Sequence, residues 1–251
     1  MTEQFTFQSD RVPLGFRLEY VKSNRDGTNQ LTVSAYMSDP NHVQVVKFRD
    51  GAVDAPLVIA EMDYATFSAT RLESFWLYRD GSRREQATFE QHESRFVATR
   101  HFADGRPPQS IDFAVPAAPF HFYNFDLISL GLMLPHLKDA GRDFSIELLD
   151  LNPAIGGRMA CSFVRVESRN GHGCNRFRVG GSAFRGETGE LWVDASSGLM
   201  VDFEHPVPDN PDWDDFRMTL QAIQPMDAAG WTTWLADELQ RRLVWNSSHC
   251  S

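Results

Sequence analysis

The chain has 251 residues, 42% of them hydrophobic and 19 of them phenylalanine. That is enough apolar material for a sizeable core and excludes a wholly disordered chain. A formal charge of −10 and a pI of about 5.2 argue against nucleic acid or an anionic membrane surface as the main partner.

The opening segment, MTEQFTFQSD, lacks the basic and apolar regions of a secretory signal, so a cytoplasmic location is expected. Leu14 to Val21 alternates, with Leu14, Phe16, Leu18 and Tyr20 on a core face and Arg17 and Glu19 on the other, as in a half-buried strand. Leu31 to Met37 repeats the pattern, and Val43 to Phe48 follows. Residues 56–70 read equally as strand or short helix. Ser74 to Tyr78, Gln86 to Phe89 and Arg95 to Phe102 are further strands. Four Asp-Gly pairs (Asp26-Gly27, Asp50-Gly51, Asp80-Gly81, Asp104-Gly105) punctuate these segments, and Asp-Gly is the pair a type I′ hairpin turn selects. The Pro-rich stretch from Arg106 to Pro119 reads as a crossover containing a strand fragment, Ile111 to Val115.

The character then changes. Tyr123 to Leu137 is apolar nearly all round, with Leu127, Leu130, Leu134 and Leu137 at helical spacing. Asn124 or Asp126 offers an N-cap, and Gly141 can close the segment. Such a helix must be surrounded, so it is expected against, or inside the curve of, the sheet. The apolar tract from Phe125 to Leu137 is about 13 residues, short of the roughly 20 a membrane-spanning helix needs. Strands resume at 144–149, 158–167, 175–179, 189–194, 199–203 and 216–223, with Asn170-Gly171, Gly180-Gly181 and Ser197-Gly198 as turns. From Asp227 a helix is expected over about 228–244, with Trp231, Trp234, Leu235, Leu239 and Leu243 on one face and Arg241 and Arg242 suiting its C-terminal dipole.

These elements define a mainly β fold: a large curved antiparallel sheet or half-barrel built from hairpins, packed on one buried apolar helix and an amphipathic C-terminal helix. It is read as a single domain over 1–251, divisible into halves 1–119 and 120–251.

Charge is unevenly placed. Residues 158–185 carry six arginines against Glu167 alone, and 187–215 carry nine acids with no Lys or Arg. Pairing of adjacent strands of opposite sign is the plainer explanation, and a basic patch that holds an anion is the alternative. The cysteines, Cys161, Cys174 and Cys250, have no CxxC spacing, and reduced core thiols are expected even where Cys161 and Cys174 face each other across a hairpin.

Of the polar clusters, His121-Phe-Tyr-Asn-Phe-Asp126 at the mouth of the buried helix stands out. His121, Tyr123, Asn124 and Asp126 beside apolar walls suit either a general acid/base set or recognition of a ligand headgroup. The structural alternative is that Asn124 and Asp126 cap the helix while His121 and Tyr123 satisfy buried backbone. His136 and Trp192 complete the candidate ligand-binding residues. The acidic run from Pro208 to Asp215 lacks the glycine and terminal glutamate of a calcium loop, and Trp213 is placed to pack it down. No two of the eight histidines lie at i, i+2 or i, i+4, so no metal is expected, and no cofactor fingerprint occurs. Gly171-His-Gly-Cys174 sets a thiol two residues from an imidazole but lacks an identifiable orienter or oxyanion site.

The strand Cys174-Asn-Arg-Phe-Arg, the strand Leu191-Trp-Val-Asp194, the Ser-Ser-Gly turn and the returning strand Leu199-Met-Val-Asp-Phe203 resemble bacterial β-rich domains of unknown function. Those are similar to the lipoprotein-carrier half-barrels, in which a curved antiparallel sheet wraps helices. The resemblance spans residues 120–223 and transfers no catalytic residue. The resulting expectation is a non-enzymatic β protein that binds an apolar or amphipathic small molecule near His121, Tyr123 and Asn124. The alternatives are a hydrolase or isomerase using the 121–126 cluster, and a scaffold or homodimer built on the Trp-rich C-terminal helix.

Overall fold

The computed structural model describes residues 4–102, 104–122, 125–149, 157–208 and 210–245. Period-two alternation yields eight strands in the N-terminal half: β1 (Phe16–Ser23), β2 (Leu31–Asp39), β3 (His42–Phe48), β4 (Asp54–Asp63), β5 (Ser68–Tyr78), β6 (Arg83–His92), β7 (Arg95–Arg100) and β8 (Gln109–Ala114). Seven follow: β9 (Phe120–Phe122), β10 (Phe144–Leu149), β11 (Gly157–Arg169), β12 (His172–Gly180), β13 (Gly189–Asp194), β14 (Met200–His205) and β15 (Phe216–Pro225). All fifteen form one sheet in the order β8-β7-β6-β5-β4-β3-β2-β1-β15-β14-β13-β12-β11-β10-β9. Each neighbouring pair is antiparallel except β9 with β10, which is parallel. The undecided stretch 56–70 therefore resolves as strand, turn and strand.

The two edge strands do not pair with each other. Instead β9 tucks onto the concave face of the opposite edge. The Phe120 amide donates to Ser68 Oγ on β5 at 3.0 Å. The Phe120 and Phe122 rings lie 5.4 and 5.1 Å from Phe96, and Phe122 lies 5.5 Å from Phe89. The sheet thus stays open but curls as a scroll, with β9 held over β5 to β7 by one hydrogen bond and aromatic packing.

The turns differ from expectation. At each of the four Asp-Gly pairs only the glycine takes a positive φ. A type I′ turn needs two such residues, and it fits a two-residue connection, whereas these strands are joined by four or more. Aspartate side chains brace the longer loops instead, as where Asp80 Oδ1 accepts from Ser82 N at 2.9 Å. The two-residue turn with both φ positive is Asn170 (50°) and Gly171 (83°), between β11 and β12.

Two apolar layers flank the sheet. Inside, α1 (Ile128–Met133) and a 3-10 turn (Leu134–His136) thread the scroll, every one of their residues buried. The helix is shorter than the apolar tract from Phe125 to Leu137. Asp126 (φ 47°) and Leu127 (φ 59°) precede it in the left-handed region, and the 3-10 turn containing Pro135 ends it. The β13–β14 turn clamps its far end: a Cβ on Gly198 would stand 2.4 Å from Pro135 Cα. Leu127, Leu130, Leu134, Trp192 and Phe203 are all buried. Leu130→Ala is expected to cost about 2–5 kcal/mol, because the packed wall around α1 relaxes only partly into the void. An unchanged chemical-denaturation midpoint would count against α1 as the centre of the core.

Outside, α2 (Ala228–Arg242) covers β2 to β5 through Trp231, Leu239 and Leu243. Trp231 stacks on Tyr36 at 5.2 Å, and its indole N–H donates to Gln44 Oε1 at 2.9 Å. This layer corrects the reading of β1. Arg17 is only 5% exposed, lying under Trp234 at 4.3 Å, while Leu14 and Phe16 are 37% and 40% exposed. Asp227 caps α2 by accepting from Gly230 N at 2.7 Å, and Asp227→Ala is expected to lower stability by about 1 kcal/mol in the same denaturation assay. Among the described residues no helix is long and apolar enough to cross a membrane.

Candidate functional site

Of the 24 basic residues only three are lysine: Lys22, Lys47 and Lys138. The first two stand on the inward phase of their strands, after Leu18 and Tyr20 on β1 and after Val43 and Val45 on β3. Both reach Asp126. Lys22 Nζ contacts Asp126 Oδ1 at 2.6 Å, and the Lys47 ammonium pairs with Oδ2. Asp126 and Lys22 are buried, while the Lys47 side chain is 19% exposed, so the cluster communicates with solvent at this end of the scroll. Trp213 and Phe216 roof it, with Lys22 Nζ 4.8 and 5.5 Å from their ring centroids.

Asp126 therefore makes no helix cap, contrary to the local reading; α1 has no side-chain cap bond. Burial by itself raises the Asp126 pKa, but Lys22 and Lys47 together outweigh it and hold the group below its ordinary value. His121 projects from β9 toward α1, where its Nδ1 shares a hydrogen bond with Ser129 Oγ. Its Nε2 is buried without a hydrogen-bond partner. Burial pushes the His121 pKa down to about 3, against the pull of Asp126. Near neutrality the carboxylate stays ionised and the imidazole neutral. Neither is poised to exchange a proton there, which suits recognition better than general acid/base work.

The other candidates are dispersed. Tyr123 and Asn124 lie outside the described residues. His136 sits at the opposite end of α1, where its Nδ1 accepts from Gln8 N at 3.2 Å amid Phe7, Tyr64 and Phe67. Trp192 lies on the outer face with Cys174 and Val201, under the Arg169 guanidinium at 4.0 Å. Lys22, Lys47 and Ser129 were missed. The available signal was a lysine on the inward phase of two strands in a chain that otherwise uses arginine.

The remaining motifs are structural. Arg176 pairs with Glu190 at 2.9 Å, Arg169 with Asp202 at 2.6 Å and Arg217 with Asp202 at 3.0 Å. The arginine-rich and acidic stretches thus pair with each other, Arg176 across the neighbouring strands β12 and β13 and Arg169 reaching from β11 to β14, where Arg217 of β15 joins it on Asp202. Cys161 stands opposite Val179 and Cys174 opposite Glu167, so the two thiols do not face each other. Burial, then Asp194, pushes Cys174 up to about 11, and His172 is engaged by Asp194 at 3.0 Å. That is an inert thiol at neutral pH. The acidic loop docks on the β1–β2 turn: Trp213 Nε1 donates to Asn29 O at 2.9 Å, and Asp215 Oδ1 accepts from Arg25 N at 2.6 Å. Trp213 packs the loop down, as its sequence position suggested. On the outer face an open polar groove of about 470 Å³ lies between the Gly27 and Asn170 turns, floored by Val21, Arg217 and Thr219.

The architecture is that of a β-rich, barrel-like protein with one open sheet. No protein-family model and no curated protein matches the chain. Among solved structures it is similar to a beta-barrel-like protein of domain of unknown function DUF1849 from Brucella abortus. That similarity covers 86% of this chain and 99% of the other, at 10% identity and a TM-score of 0.46. It transfers no residue role.

Proposed function

We propose that the protein is a binding module for an amphipathic small molecule, whose polar head sits at the Asp126 end of the scroll. One observation carries the reading: two lysines and an aspartate converge, largely out of water, at the mouth of an otherwise apolar interior. A buried ion cluster is a poor stabilising device, because desolvating the charges offsets most of their attraction. Apolar walls with a few convergent polar groups are the usual form of a small-molecule site. The neutral His121 and ionised Asp126 favour holding a ligand over transforming it.

The test is native mass spectrometry of the purified protein, followed by displacement of N-phenyl-1-naphthylamine by laurate and by dodecanol. One bound molecule per chain and saturable displacement by at least one of the two are expected. Ligand-free chains with no displacement by either would overturn the reading, and a ligand-free dimer would favour a scaffold.

A further inference from the structure

We propose that the segment from Asp126 to Leu137 is a built-in stand-in for the ligand, and that the ligand is a long-chain carboxylate that displaces Asp126 from Lys22 and Lys47. This rests on the binding reading above and specifies its ligand and its regulation.

The segment itself has the chemistry of an amphipathic anion. Its head is one carboxylate seated on two ammonium groups. Its tail is an apolar run in which Leu127, Leu130 and Leu132 are fully enclosed and Ile128, Met133 and Leu134 nearly so. Whatever replaces it must satisfy the same walls, with a carboxylate for the lysines and an aliphatic chain for the interior. A neutral amphiphile fills the apolar path but cannot take over the lysines, and a cationic one would be repelled by them.

The seated state is also strained. Asp126 and Leu127 are successive side-chain-bearing residues at φ 47° and 59°, where L-residues are disfavoured. The helix they lead into has only six residues and no side-chain cap. Once another anion takes the lysines, Asp126 can move to water and both residues can return to the favoured region. Ligand binding and release of the strain then reinforce each other, as differential affinity for two states requires. His121, bonded to Ser129 in the first turn of α1, brings a buried Nε2 without a hydrogen-bond partner to the same end. The exchange breaks no covalent bond: one carboxylate leaves the two ammonium groups and another arrives.

The experiment measures binding of laurate, dodecanol and dodecyltrimethylammonium to the wild type, Asp126→Asn and Lys47→Gln. Laurate is expected to bind Asp126→Asn at least about a hundredfold more tightly than the wild type, since the competing seated state is weakened, and Lys47→Gln about tenfold more weakly. Dodecanol should bind the wild type more weakly than laurate does, since it brings no carboxylate to Lys22 and Lys47, and the cation should bind least of all. Equal laurate affinity for the wild type and Asp126→Asn overturns the inference while leaving the binding reading intact if dodecanol or laurate still binds. No binding of any amphiphile to any protein overturns both. If Asp126→Asn does not fold alone, laurate present during refolding should restore it where dodecanol does not; failure of laurate to do so also overturns the inference.

Discussion

Replacing Asp126 with asparagine is expected to lower the unfolding free energy by about 3–5 kcal/mol in the absence of ligand. The carboxylate is the shared partner of Lys22 and Lys47, and Lys22 is buried with it. An amide of the same size keeps the packing but removes the charge that Lys22 and Lys47 share. The expected signature is a lower denaturant midpoint at an unchanged slope, because the surface exposed on unfolding stays the same. Removing the whole cluster separates charge from packing. The triple variant Lys22→Met, Lys47→Met, Asp126→Leu should recover most of the lost stability, since apolar groups can replace a buried ion cluster at little cost. A midpoint for Asp126→Asn close to wild type would mean that the three groups are solvated in the folded chain.

Acid is expected to unfold the protein well before its carboxylates titrate. Burial pushes His121 down to about 3 and His136 and His205 down to about 4, against an ordinary 6.5. Below about pH 6.5 the unfolded chain takes up protons that the folded chain refuses. Stability is therefore fully present above that pH and falls as pH drops toward the folded values. The slope is at most about 1.4 kcal/mol per pH unit for each histidine. His121, the most enclosed, is expected to contribute most. Asp126 acts in the same direction lower down: its depressed pKa gives stability that is present above the ordinary carboxylate range and lost as pH falls below it. Denaturation midpoints at pH 7.5, 6.5, 5.5 and 4.5 read this directly. A midpoint level between pH 7.5 and 5 would contradict burial of the three imidazoles.

Local alternation made most strands legible, and the boundaries of β10 and β13 coincide with the expected ones. The C-terminal helix was equally clear, because its apolar face and Asp227 cap are local features. The curl that brings β9 over β5 to β7 was not legible. β9 has only three residues, too few for a period, and its position depends on Phe89, Phe96 and Ser68, distant in sequence. Arg17 was misassigned to solvent for the same reason, since α2 covers it from more than 200 positions away. Asp126 illustrates the limit at the site. An aspartate before an apolar run reads as a cap, and its partners lie 104 positions away at Lys22 and across the sheet at Lys47. Those lysines were readable from strand phase, but the convergence of two strands and one loop on a single carboxylate belongs to the folded chain.

The most direct test of the binding account is a crystal structure of the protein grown with laurate. The expected result is a carboxylate within hydrogen-bond reach of both Lys22 Nζ and Lys47 Nζ, about 2.7–3.2 Å, with its chain in the apolar interior and Asp126 moved aside. Laurate found only in the outer groove beside Arg217 and Thr219, with Asp126 still seated on both lysines, would contradict it.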